Sequence, residues 1–384
     1  MRRLVATLVV VAMAAVGVSC GSDDEPEAGG DDVSTQEARF GGTVVFGTTG
    51  ESSGWLPYTD RWGPGPLTIA RALFDPLVSW GTDGKVHPYL AEAFEPNEDY
   101  SVWDIVMRPD VKFHNGEDVS GHALVLYLQK ARVAPLTIFA MQPIVDIQKV
   151  EGDDLRARVF LDQPWPSFPV VFSSQAGFLA APSQINSEDS QNAIGSGPFE
   201  QFSWTPDAEL VAKRFDNYWR SDDQGRKLPY LDEVRFRPVP DETTRLASLR
   251  TGDLDITQTN APSTVAGFLS DPSTVPAGIN VLTDASESDE FHAVLNTQTG
   301  PFTDPRLRKA VQLATDRQAI SDAYDSIFKI ADGPMSQDSE WWSDSGWPRR
   351  TTSRWPNGSS SSGPRRASRC PSRTSRSRPS PTGC

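Results

Sequence analysis

The chain has 384 residues, 38% of them apolar and 9% aromatic, which is enough for two domains with cores and too apolar for a disordered polymer. Its formal net charge of −15 argues against a nucleic-acid partner, which would need clustered Lys and Arg on a folded face. Acidity alone names no partner, because it also keeps proteins soluble.

Residues 1–20 read as an export signal. Arg2 and Arg3 precede an apolar run from Leu4 to Val18, which is shorter than the roughly 20 residues a membrane span needs. Val16-Gly17-Val18-Ser19-Cys20-Gly21 resembles a bacterial lipobox, with Gly17 where Leu or Val is usual. That resemblance implies lipidation at Cys20 and a membrane anchor on the extracytoplasmic face. The alternative is an ordinary secretory signal with an incidental cysteine. Residues 21–39 are rich in Asp, Glu, Gly and Ser, cannot bury enough surface to offset ordering entropy, and read as a flexible tether.

From Phe40 onward, strand and helix signals alternate. Thr43-Val44-Val45-Phe46 reads as a short apolar strand closed by Gly47 and a turn at 48–50. Leu155, Ala157, Val159 and Leu161 keep the period of a half-buried strand, as do Val234 and Phe236. Ser120 is placed to cap a helix with Leu124, Tyr127, Leu128 and Ala131 on one face. Asp241 starts another, with Leu246 and Leu249 expected inside and Gly252 past its end. Asp304-Pro305 and Asp316 start two more, with apolar faces at Leu307, Ala310, Val311 and Ala314, and at Ile320, Ala323, Tyr324 and Ile327. A further strand is expected at Ala293-Val294-Leu295-Asn296. Without an internal repeat, the pattern implies an α/β or α+β fold.

Composition breaks after Asp344. Residues 345–384 hold nine Arg, no Lys, Asp or Glu, and no periodic segment. A basic arm for an anionic surface and a disordered tail both fit, and a GC-rich sequence read out of frame fits best.

Five blocks resemble, in order, the peptide- and nickel-type solute-binding proteins of ABC importers, family 5. They begin with Gly41-Gly42-Thr43-Val44-Val45. Ala72-Leu73-Phe74-Asp75-Pro76-Leu77-Val78 follows and leads through Asp83-Gly84-Lys85-Val86 to Leu90-Ala91-Glu92. Next come Val111-Lys112-Phe113-His114-Asn115-Gly116 and Ile194-Gly195-Ser196-Gly197-Pro198-Phe199, the latter followed by Asn217-Tyr218-Trp219 and Leu228-Pro229-Tyr230-Leu231-Asp232. The last is Pro301-Phe302-Thr303-Asp304-Pro305-Arg306-Leu307-Arg308 with Asp316-Arg317 and Ile320. The resemblance implies a two-lobed periplasmic-binding-protein type II fold of the large peptide-binding class. Lobe one would comprise 40–75 and 190–262, an inserted subdomain 76–189, and an incomplete second lobe 263–344. It further implies a monomer that captures a peptide or related small solute and hands it to ABC permease subunits, with nickel-chelate, haem or oligosaccharide binding, or a nonfunctional truncated product, as alternatives.

The resemblance places Glu51, Ser53 and Trp55 in a loop lining the cleft, where Trp55 is either an apolar wall or a core residue. Gln258, Thr259 and Asn260 fall at the passage between lobes, where uncharged groups can hydrogen-bond a peptide backbone, and Phe291 and His292 fall near the cleft. An enzyme is not expected, nor a metal or cofactor. His87, His114, His122 and His292 lack metal-ligand spacing, Gly195-Ser196-Gly197 lacks the third glycine of a dinucleotide loop, and no Gly-x-Ser-x-Gly elbow occurs.

Overall fold

Two sheets organise the molecule, one from distant chain segments and one from a single stretch. The computed structural model describes residues 38–324, apart from 82, 260, 272, 274, 276–277 and 283–292, together with Ile330. Cys20, residues 21–37 of the tether, Asn260, Phe291, His292, Ile327 and the stretch 345–384 lie outside the described residues.

The strands are β1 (Thr43–Thr48), β2 (Val78–Trp80), β3 (Val86–Pro88), β4 (Ala91–Pro96), β5 (Val102–Met107), β6 (Ile144–Val150), β7 (Asp153–Leu161), β8 (Phe199–Thr205), β9 (Glu209–Arg214), β10 (Glu233–Pro238) and β11 (Ile256–Thr257). The helices are α1 (Pro64–Leu73), α2 (Gly121–Ala131), α3 (Ile138–Met141), α4 (Pro182–Ser187), α5 (Glu242–Thr251), α6 (Pro262–Ser270), α7 (Pro305–Ala314) and α8 (Arg317–Ala323).

The first sheet has the order β11-β1-β10-β9-β8. β1 lies between β10 and β11 and is parallel to both, while β9 runs antiparallel to β10 and to β8. The pairing bridges about two hundred residues and is pinned by side chains at its ends. Asp255 Oδ2 accepts from Val45 N at 2.8 Å, and Asp232 Oδ2 accepts from Gly42 N at 3.0 Å. The second sheet, β4-β5-β7-β6, is antiparallel throughout. Its alternation buries Trp103, Ile105 and Met107 from β5 and Ala157, Val159 and Leu161 from β7. On the opposite face Asp104 meets Arg158 with two 2.7 Å bonds across the strands.

All four expected helix caps form. Ser120, Asp241, Asp304 and Asp316 each accept from a backbone N–H in the first turn of α2, α5, α7 and α8. Two expectations fail. Residues 293–296 form no strand among the described residues, and Val294 is exposed. In α5 the buried residue is Arg245, while Leu246 and Leu249 are only half-buried. The apolar faces of α7 and α8, at Leu307, Val311 and Ile320, are exposed to solvent.

Candidate functional site

Because β1, β10 and β11 are parallel neighbours, their carboxyl ends converge on one edge of the first sheet. The chain leaves β1 toward 49–62 and α1, and leaves β10 toward α5, which leads it to β11 on the far side of β1. In open α/β sheets, ligands bind outside the carboxyl ends of the strands. Five segments meet there: the β1–α1 loop, the start of α1, the β10–α5 turn, the β11–α6 turn and the β8–β9 hairpin tip.

α1 approaches this edge closely. A Cβ on Gly65 would lie 2.8 Å from Gly50 O and 2.9 Å from Thr49 Oγ1, so glycine is required for the contact. Thr68, one turn on, donates to Gln258 Oε1 at 2.8 Å. That bond orients the Gln258 amide while leaving its N–H donors unengaged among the described residues. Thr257 Oγ1 donates to Gly47 O, tying β11 to β1.

The turn carrying Gln258 is held from beneath by Arg245. Its side chain is buried, and its guanidinium donates to Val239 O (2.6 Å), Pro240 O (3.1 Å) and Gln258 O (3.2 Å). One cation thus gathers the ends of β10 and β11. Sequence reasoning missed it, since apolar periodicity in α5 pointed to the neighbouring leucines; the available signal was an arginine one turn past a cap.

The sequence-derived candidates separate into distinct roles. Glu51 is half-buried, and its carboxylate accepts from Trp204 Nε1 at 3.3 Å and from Asp207 N, anchoring the β1–α1 loop to the β8–β9 tip. Ser53 is exposed. Thr259 donates to Glu242 Oε1 at 2.7 Å and accepts from Ala261 N, so its hydroxyl is spent on the turn. Trp55 is corrected to the core. It is 0% exposed, lies between Trp62 (6.2 Å) and Trp204 (5.5 Å), and presents no wall to a ligand. From β11 to β8 is four inter-strand steps, or roughly 19 Å at about 4.8 Å each. Gln258 and Glu51 mark the two flanks of this edge.

Several motif blocks instead converge on a buried polar cluster between the sheets. Asp75 accepts from Trp219 Nε1 (2.8 Å), Ser196 Oγ (3.1 Å) and Tyr218 OH (3.3 Å). Tyr89 OH bonds Tyr218 OH at 3.1 Å and accepts from Arg220 at 2.7 Å. Complete burial pushes the Asp75 carboxyl up to about 7, against the pull of its three donors and of Arg220. This raised value means the folded state holds a proton that the unfolded chain releases near pH 4. Stability is therefore fully present below about pH 4 and falls as pH rises toward and through 7. Asp75→Asn, which can still accept from Trp219 and donate to Tyr218, should flatten this slope. It should exceed the wild type by on the order of 2 kcal/mol at pH 8, with the gap closing toward pH 5, in urea titrations at each pH.

Sequence comparison assigns this architecture. The sequence profile of the bacterial extracellular solute-binding proteins, family 5 (Middle) matches residues 85–357, more than half the chain. The chain belongs to that family. The match ends past the composition break at 344. The family 5 chain is similar to the glutathione-binding protein GsiB of Pectobacterium atrosepticum, 26% identical over 280 residues, 70% of this chain and 51% of that protein. GsiB of Salmonella typhimurium is 27% identical over 257 residues, 66% and 48% of the two chains. The chain spans about half the length of the curated relatives it matches.

Among solved structures, AgaA of A. tumefacien R10, in complex with agropinic acid, aligns with a TM-score of 0.63 and 25% identity over 80% of this chain and 61% of that one. AppA of Bacillus subtilis, in complex with a nonapeptide, aligns with a TM-score of 0.61 and 20% identity over 80% and 60%, a likeness that shows fold alone. Over the shared part, the mixed α/β fold is that of the two-lobed periplasmic binding proteins. These relatives are binding proteins rather than enzymes. No helix of the described residues is long and apolar enough to cross a membrane.

Proposed function

We propose that this chain is an extracytoplasmic solute-binding protein that captures short peptides and delivers them to an ABC importer. The observation that carries this reading is the convergence of Gln258, Thr68 and the Glu51 loop at the carboxyl ends of three parallel strands. In this reading, 40–75 with 190–262 form the first lobe, 76–189 an inserted subdomain, and 263–344 belong to the second lobe. Export through residues 1–20, lipidation at Cys20 and the 21–39 tether would hold the protein at the extracytoplasmic face of the cell membrane. It acts as a monomer, by binding and hinge closure, with no chemical step and no cofactor.

The groups on the edge suit a peptide. An unengaged amide at Gln258 can donate to a backbone carbonyl without selecting sequence. An edge of roughly 19 Å matches an extended segment of about five residues, at about 3.4 Å each. Glutathione, for which the curated relatives are named, is the first peptide to try here.

The test is a thermal-shift panel of glutathione, di- to pentapeptides, nickel chelates, haem and oligosaccharides. A rise in midpoint with peptides alone supports the reading. Stabilisation by a nickel chelate, haem or a sugar but no peptide would reassign the ligand. Glu51→Gln keeps one acceptor oxygen and so loses either the Trp204 or the Asp207 bond, and should lower peptide affinity about three- to tenfold in calorimetric titrations, with a drop in the unliganded midpoint no larger than one exposed hydrogen bond gives.

A further inference from the structure

Between the end of α2 and the start of β6 the chain presents a group of apolar side chains to solvent. Phe139 is 85% exposed, Val133 64%, Val145 50% and Ile138 40%, and Pro135 is exposed among them. In the rest of 38–262 the exposed large apolar residues are Phe40, Tyr100, Phe202 and Ile256, each alone in its stretch of chain. A lone exposed apolar residue is ordinary, whereas several gathered together mark an interaction surface.

The group is held from beneath. Ala131, Ala134, Thr137 and Met141 alternate with it and are buried. Thr137 Oγ1 donates to Ala131 O, Ile138 N donates to Ala134 O at 2.9 Å, and Met141 N donates to Thr137 O at 3.0 Å. Arg132 Nη1 donates to Val145 O at 3.0 Å, tying the residue beside Val133 to Val145. β6 is the outer strand of the second sheet, so no further strand covers this side among the described residues.

Charge sets the stretch apart as well. From Val119 to Val145 there is no Asp or Glu, in a chain of net charge −15. Lys130 pairs with Glu188, while Arg132 joins no ion pair among the described residues. Asp146 and Asp162 stand at the margin, the first accepting from Ile147 N and Gln148 Nε2, the second donating its N–H to Pro143 O.

We propose that this patch seats on an anionic phospholipid surface, with Phe139, Ile138, Val133 and Val145 at the boundary of headgroups and acyl chains and Arg132 at the phosphates. The proposal rests on the reading of Cys20 as a lipid anchor. Apolar side chains on a firm base bury area by dipping into that boundary, while a long cationic side chain stays at headgroup level. Acidic faces are repelled by an anionic bilayer, so the acid-free stretch is the one that approaches it. Residues 21–37 span at most about 60 Å, which keeps the anchored protein beside the bilayer and lets a small patch bind. A second copy fits less well. Side chains of this number cover roughly a few hundred Å², below the roughly 800 Å² per partner that stable interfaces bury. No residue of the patch belongs to the segments that meet at the carboxyl ends of β1, β10 and β11.

The experiment floats the purified full chain with phosphatidylglycerol vesicles and records hydrogen–deuterium exchange on them. Wild type should show slowed exchange at 133–145, and Phe139→Ser should lose that protection with an unchanged unfolding midpoint in solution. Phosphatidylcholine vesicles should protect the stretch less. Mass spectrometry of Cys20 reports the anchor separately. If Cys20 carries acyl groups, equal exchange at 133–145 in wild type and Phe139→Ser on vesicles overturns the proposal. If Cys20 is bare, the anchoring reading fails, and flotation carries the test. Flotation weakened about tenfold or more by Phe139→Ser then supports the patch, and equal flotation of the two proteins, or none, overturns it. A dimer that Phe139→Ser converts to monomer, with no protection on vesicles, overturns the lipid assignment in favour of a second copy.

Discussion

Gly195→Ala should leave little folded protein. A Cβ at this position would lie 2.0 Å from Leu73 O and 2.6 Å from Phe74 Cδ1. The first of these is backbone at the end of α1, and no rotamer change can move it. Both sides of the contact are fixed, since Gly197 N donates to Leu73 O at 3.1 Å and His114 N donates to Gly195 O at 2.8 Å. The helix therefore packs backbone to backbone on the Gly195-Ser196-Gly197 segment, which also brings Ser196 to Asp75. Ordinary overpacking costs about 1–3 kcal/mol because side chains can yield. Here the main chain must move, so the loss should exceed about 4 kcal/mol, a large fraction of a typical domain's stability. Soluble yield and urea unfolding report it. Gly267→Ala on α6, whose Cβ meets nothing within 4 Å, is the control and should be neutral or slightly stabilising. A Gly195→Ala protein as stable as this control would mean that α1 does not pack on this segment.

Arg245→Met should cost about 3–5 kcal/mol and abolish detectable peptide binding. Methionine keeps much of the apolar stem that packs beside Gly47 but removes the donors to Val239, Pro240 and Gln258. Three carbonyls then lose a charged partner, at about 1.5–3 kcal/mol per such bond and with imperfect additivity. The functional loss should exceed the fraction unfolded, because the freed β10 and β11 turns no longer hold Gln258 against Thr68. Unfolding midpoints with calorimetric affinities, taken where both proteins are fully folded, separate the two effects. Unchanged affinity in folded Arg245→Met protein would remove Arg245 from the positioning of the site.

Local signals were legible in the sequence wherever they depended on neighbours along the chain. The caps at Ser120, Asp241, Asp304 and Asp316 are read from one side chain and the next turn. The strand periods at 155–161 and 234–236 come from alternation alone. The placement of β1 between β10 and β11 is not written in any window, because its partners lie about two hundred residues away. The motif blocks carried that information only through resemblance.

Residues 293–296 show the reverse failure: an apolar run is not a strand without an edge to pair with. Arg245 was missed because a buried arginine looks, in sequence, like any exposed helix cation. Its burial follows from three carbonyls that meet only in the folded state. Trp55 could not be assigned from the sequence, since a tryptophan beside a crevice and one in the core read alike; Trp62 and Trp204 decide it by enclosing the ring. Gln258 was singled out because the resemblance puts the uncharged run 258–260 at the passage between lobes, while the engagement of Thr259 by Glu242 required coordinates.

Hydrogen–deuterium exchange with and without a saturating short peptide tests the central claim most directly. The account predicts slowed exchange at 47–53, 63–68, 239–242 and 257–259, the segments that meet at the carboxyl ends of β1, β10 and β11, and no change at 192–201. Protection confined to 192–201, or none anywhere at a peptide concentration that saturates binding, would contradict it.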